Sequence, residues 1–256
     1  MDKLLALACF LFGIVIVVTT FPEGNAAVFV AALLTVVTVY VITFKIPEDR
    51  QFLIRIFLVA VLARLAFGLF LHTFELREFF GGDAVTYDNY GNLLMQSWFG
   101  DPSEFSEIRL ERRLGGVGWG MLYLVGSIYS FTGRNILAAQ FFCAVVGAAI
   151  SPLLYFCSYT IFNNRRVSRV SAVLAALFPA FIIWTGQLLK DGLVVFLIVL
   201  IFVTKGLSSI VKKIEAKRPK VALATNNMSS SNTVPKVSAD AEIAAVIAAA
   251  VAKSRE

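Results

Sequence analysis

Apolar runs, each long enough as a helix to cross much or all of a bilayer, recur along this chain at 4–20, 26–44, 52–73, 116–132, 136–162, 168–189 and 192–211. A hydrocarbon core of about 30 Å takes about 20 residues at 1.5 Å each, and a helix is one of the few shapes that satisfies its own backbone there. Residues are 58% hydrophobic and 16% charged, whereas soluble domains sit near a half and a quarter. The pattern predicts an all-α polytopic membrane protein with about five to seven transmembrane helices. An external loop with amphipathic helices separates the third run from the fourth.

Three regions follow. Residues 1–50 are N-terminal membrane helices, 51–204 a membrane domain that includes the external loop 74–115, and 205–256 a basic, flexible cytoplasmic tail with an Ala-rich end. Met1-Asp2-Lys3 and the run after it imitate a signal peptide, but no small-x-small cleavage signal precedes Phe21-Pro22-Glu23, so a retained anchor is expected. Lys3, the Lys45–Arg55 connection and Lys205–Lys220 read as cytoplasmic. Loop 74–115 then lies outside. If 116–132 and 136–162 both cross, Arg165, Arg166 and Arg169 also fall outside, against the positive-inside preference. Either the short, glycine-rich 116–132 is re-entrant or packed on the external loop, or those arginines meet headgroups outside.

A net charge of +6 does not call for nucleic acid, because the basic residues cluster between apolar runs, where they orient helices and meet anionic lipid. Cys9, Cys143 and Cys157 all lie within apolar runs, an odd number without metal-ligand spacing. His72 is the only histidine, which excludes a multi-histidine metal site. No metal is indicated.

The polar segment Phe79–Gly91 follows the third apolar run directly, with two carboxylates, Asp83 and Asp88, beside Tyr87 and Tyr90. Folding into lipid requires none of these. Asp83 reads equally as a helix N-cap and as a site carboxylate, and Tyr87 and Asp88 as scaffold of an interfacial helix or as lining of a polar site. Arg64 sits inside the third run. A mid-membrane arginine costs at least about 2.5 kcal/mol on insertion scales, so it faces protein or a water-filled cavity unless it snorkels outward. Arg109, Arg112 and Arg113 form a basic cluster suited to phosphate, or a solvated salt-bridge group with Glu107 and Glu111. Lys190 and Asp191 interrupt the apolar stretch from Val170 to Thr204, either as a helix boundary or as a polar cavity wall.

Gly82-Asp83-Ala84-Val85-Thr86-Tyr87-Asp88 resembles the acidic motif that opens the first external loop of GT-C membrane glycosyltransferases, in particular the family 39-like enzymes that use polyprenyl-phosphate sugars. Ala84 stands where many members have Glu. Gly133-Arg134-Asn135, Leu153–Arg166 and Phe178-Pro179 through Asp191 resemble the helices that follow, and the similarity covers roughly 50–203. The resemblance implies inverting transfer of a sugar to a hydroxyl of a glycan, lipid or protein acceptor, outside the bacterial inner membrane. Asp83 would be the general base, with Arg64, Tyr87, Asp88, Arg109, Arg112, Arg113, Lys190 and Asp191 binding substrate or phosphate. The donor is a lipid-linked sugar, and no cofactor is implied. Members continue through several more membrane helices, so the resemblance is to their N-terminal portion.

From Gly192 onward the chain is similar to the gamma chain of sodium-pumping oxaloacetate decarboxylases, a single span followed by a flexible linker and an Ala-rich end like Glu242–Val251. That likeness implies a non-catalytic anchor or assembly subunit whose tail binds a soluble partner. A basic stop-transfer end with a low-complexity tail accounts for the same residues.

Overall fold

The computed structural model describes residues 3–45, 49–76, 79, 82–99 and 119–206. The chain divides into two units, Met1–Lys217 and Arg218–Glu256, and the second falls wholly outside the described residues. The described elements are helical: α1 (Lys3–Thr19), α2 (Glu23–Lys45), α3 (Arg50–Thr73), α4 (Asp83–Phe99), α5 (Trp119–Thr132), α6 (Ile136–Phe162), α7 (Arg165–Leu177), α8 (Pro179–Thr185) and α9 (Lys190–Ile201), the last running on into a π-turn, Phe202–Gly206.

Among the described residues three helices, α2, α3 and α6, are long and apolar enough to cross a bilayer. The pair α7–α8, bent by 52°, makes a fourth when counted as one span. The described residues thus give three or four of the expected five to seven by length and composition. With 14 residues, α5 extends about 21 Å, short of a bilayer core. It lies instead along α4. Gly91 permits this, because a Cβ there would stand 2.5 Å from Cγ1 of Val125.

Helix direction follows from two tethers. At one end of the bundle the Asn135 side chain donates to the Glu23 carbonyl at 2.8 Å, so α2 and α6 start together. Asn135 also caps α6 by accepting from Ala138 N at 2.9 Å. At the other end, Asp49 accepts hydrogen bonds from Tyr155 of α6 and Arg169 of α7. Arg165, Arg166 and Arg169 thus lie at the same end as Arg50 and Arg55. When 116–132 is not counted as a crossing, those arginines fall on the same side as Arg50 and Arg55, as the positive-inside preference favours.

Proline marks two breaks. Pro152 inside α6 has no N–H for the Ala148 carbonyl, and the Ser151 hydroxyl donates to that oxygen instead, at 2.9 Å. Pro179 ends α7 in the same way and starts α8 at its first position. The run 168–189 is therefore two helices, not one.

Asp49 is 5% exposed. Burial pushes its carboxyl up, but the hydrogen bonds from Tyr155 and Arg169, with the Arg169 charge, outweigh this and hold it below the usual aspartate value. A lowered folded pKa contributes stability that is full above the unfolded value of about 3.9 and lost as pH falls through the folded one. Thermal unfolding in detergent should therefore show an acid-side decline in the wild type that Asp49→Asn flattens. Identical slopes in the two proteins would remove the carboxylate from the stability balance.

Candidate functional site

The Asn135 end of the bundle gathers most of the described polar residues singled out in the sequence. Here α4 begins. The Thr86 N–H donates to the Gly82 carbonyl at 3.1 Å, so Gly82, not Asp83, occupies the N-cap position, and Asp83 stands in the first helical turn. A carboxylate there is favoured by the helix dipole. Asp83 is exposed and has no hydrogen-bond partner among the described residues.

The face of α4 behind it is buried: Ala84, Tyr87, Asp88, Gly91 and Leu94. Tyr87 is 3% exposed and shares one apolar cluster with Tyr129 of α5, Ala139 and Cys143 of α6, and Leu188. That position makes its ring scaffold.

Asp88 is committed to protein partners. Its Oδ1 accepts from the Tyr129 hydroxyl at 2.7 Å, and its Oδ2 from Arg134 Nη2 at 2.7 Å. Arg134 Nη2 also reaches Asn89 Oδ1 at 2.8 Å. The Asp88 hydrogen bond holds the Arg134 guanidinium above the ordinary arginine value. The Arg134 side chain remains 50% exposed, and among the described residues nothing accepts from its Nη1. A fixed guanidinium with an open N–H edge suits an oxyanion.

Arg134 was not among the expected site residues. A lone arginine between apolar runs reads as a headgroup anchor, and its carboxylate partner lies 46 positions away. Only Gly133-Arg134-Asn135 in the resemblance pointed toward it.

Lys190 and Asp191 open α9 at the same end, and both are exposed. Leu188 packs into the cluster of Ala84 and Tyr87, and Leu193 lies against it. Ala84, next to Asp83, and Leu188 and Leu193, on either side of Lys190 in sequence, thus join one apolar cluster. Asp191 also lines a cleft of about 240 Å³ with Phe178, Phe181, Trp184 and Thr185.

Arg64 takes no part in this exposed surface. It is 0% exposed, which excludes snorkelling, and its guanidinium binds protein. Nη2 donates to the Ala175 carbonyl at 3.1 Å, Nη1 to Ala176 at 2.9 Å and Ala60 at 3.1 Å, and Nε to Thr185 Oγ1 at 2.7 Å. Ala175 is the residue whose helical donor would be the missing N–H of Pro179. Arg64 thus caps the broken end of α7 and ties it to α3 and α8, a positioning role in place of the expected substrate contact. Beside it the Gln140 amide donates to Gly186 O at 2.9 Å and Gly68 O at 3.3 Å, fixing the turn that leads to Lys190.

Arg109, Arg112 and Arg113 lie outside the described residues. No group of three or more His, Cys, Asp or Glu among the described residues could hold a metal ion.

The family model for the oxaloacetate decarboxylase gamma chain matches residues 193–255, the last quarter of the chain. The match starts within α9, and from residue 207 it covers undescribed residues. No curated protein matches the chain, and no solved structure does.

Proposed function

We propose that this membrane protein transfers a sugar from a polyprenyl-phosphate donor to an acceptor hydroxyl, at the Asn135 end of its bundle. The reading rests chiefly on one juxtaposition: an exposed carboxylate, Asp83, and a braced guanidinium with an open edge, Arg134, on or against the same helix. Asp88 and Asn89, which hold Arg134, follow Asp83 by five and six positions, about 7–9 Å along the axis of α4. Asp83 takes the proton of the acceptor hydroxyl as its oxygen attacks the anomeric carbon. The carbon–oxygen bond to the lipid phosphate breaks, and the phosphate leaves with the electron pair, its charge met by Arg134 and Lys190. Arg109, Arg112 and Arg113 of the same loop are further candidates for that contact. The donor is already activated, so no cofactor is assigned.

The basic end with Arg50, Arg55 and Arg165–Arg169 is cytoplasmic in this reading, which turns Asp83 and Arg134 outward in a multi-pass cell-membrane protein. The test is transfer of radiolabel from a polyprenyl-phosphate sugar by the purified chain. Arg134→Gln should raise KM for the donor about 10- to 100-fold, as loss of a charge-assisted hydrogen bond implies. An unchanged KM would take Arg134 out of the phosphate site.

A second reading rests on the family match at 193–255. In it the helices anchor the chain and the tail docks a soluble decarboxylase subunit. Removal of everything after Lys220 should then abolish recovery of that partner in a pull-down from solubilised membranes. Equal recovery with and without the tail would reject this reading.

A further inference from the structure

We infer that the Asp49 end of the bundle binds the headgroup of one anionic phospholipid, with Arg169 at the centre of the site. Asp49 is 5% exposed and accepts hydrogen bonds from the Tyr155 hydroxyl and from Arg169 Nη2. The Arg169 guanidinium also lies over the Phe52 ring, 5.4 Å from its centroid. A carboxylate at one edge and an aromatic face against the other side fix the plane of the group. The Arg169 side chain is nonetheless 50% exposed, and among the described residues nothing accepts from its Nε or Nη1. The guanidinium therefore presents fixed donors outward, which suits a phosphate oxyanion.

The charge around it is of one sign. Arg166 precedes Arg169 by three positions on α7, which makes the two side chains neighbours, about 5–6 Å apart at Cβ. Arg50 follows Asp49 directly. Arg50 and Arg166 are both exposed, and neither side chain has a hydrogen-bond acceptor among the described residues. Arg55 and Arg165 lie at the same end. Against these five arginines the described residues of this end set one carboxylate, Asp49, and it is buried. A net anionic headgroup meets that excess, whereas a zwitterionic one brings an ammonium group into it.

The rest of α7 selects a lipid over a free phosphate. Val167, Val170 and Leu174 are all exposed. Spaced three and four apart, they form one apolar stripe that starts beside Arg166 and runs away from the basic end. Together α7 and α8 are apolar enough to count as one broken span. An anion that carries an acyl chain matches both the arginines and the stripe, and inorganic phosphate matches only the arginines. The site lies at the end of the bundle opposite Asp83 and Arg134, so it stands whether or not the protein is a transferase.

The test is native mass spectrometry of the full chain, released in mild detergent from vesicles of equal phosphatidylglycerol and phosphatidylethanolamine. One phosphatidylglycerol should be retained per chain, in preference to phosphatidylethanolamine. Arg166→Gln should lower that retention about 5-fold, the effect of one cation near an anionic headgroup. Asp49→Asn separates a built site from diffuse attraction. Removing a carboxylate strengthens diffuse attraction, whereas a site that depends on a braced Arg169 should lose retention, also by about 5-fold. Arg166 makes no side-chain hydrogen bond among the described residues, so its variant keeps the test open if Asp49→Asn misfolds. Equal retention of the two lipids by the wild type, unchanged retention in Arg166→Gln, or unchanged or greater retention in a folded Asp49→Asn would overturn the proposal. Displacement of the lipid by millimolar inorganic phosphate would overturn it as well, by assigning the arginines to a free anion.

Discussion

Arg64→Leu is expected to destabilise the bundle by about 2–6 kcal/mol, a large share of the 5–15 kcal/mol that holds a typical fold. The leucine matches the stem of the arginine but leaves the Ala175 and Ala176 carbonyls without donors in a 0% exposed position. Each buried orphan acceptor costs about 1–3 kcal/mol. Arg64→Lys should recover little, because one ammonium cannot span the three helices that the planar guanidinium joins. Pro179→Ala offers a sharper check. It returns an N–H to position 179, the natural partner of the Ala175 carbonyl, so the loss caused by Arg64→Leu should shrink in the Pro179→Ala background. Unfolding of detergent-solubilised protein by increasing SDS measures all four variants. A stable Arg64→Leu, or strict additivity with Pro179→Ala, would show that the broken helix does not depend on Arg64.

On the proposed reading, in which Asp83 is the general base of sugar transfer, Asp83→Asn is expected to lower transfer by about 10²- to 10⁴-fold. The amide keeps the size of the side chain and removes its basicity. Because Asp83 is exposed and without a hydrogen-bond partner among the described residues, folding and membrane retention should not change. Turnover equal to wild type would end the base assignment. The contrast with Asp88 is informative. Asp88→Asn weakens the brace on Arg134 and the contact to Tyr129, so it should raise donor KM and lower stability together, whereas Asp83→Asn acts on kcat alone.

Much of the secondary structure was readable from hydropathy. The expected run 136–162 coincides with α6, and 52–73 differs from α3 by two residues. The run 168–189 was expected as one helix, and the chain bends by 52° at Pro179 within it. The number of crossings was less legible, because hydropathy marks an apolar helix without stating what covers it. In α5 the apolar face is covered by α4, through Gly91 and Gly126.

The site divides in the same way. Asp83, Asp88 and Lys190–Asp191 stood out because carboxylates and ammonium groups are costly beside lipid. Arg64 stood out for the same reason, and an outward cavity was sought for it. Its partners are instead backbone carbonyls at a helix break more than 100 positions away, and a carbonyl carries no side-chain signature. Arg134 escaped notice because its neighbours in sequence do not include Asp88.

The sequence by itself determined an all-helical membrane protein, where its principal helices lie, and which charged residues need explaining. Those properties depend on local hydropathy and on the cost of polar groups in lipid, which a single segment carries. Tertiary structure decided that α5 packs along α4, that Arg165–Arg169 share an end with Arg50, that Arg64 is a brace, and that Asp88 presents Arg134. Each of these depends on a hydrogen-bond or packing partner supplied by a different helix, and only the folded chain brings those partners together.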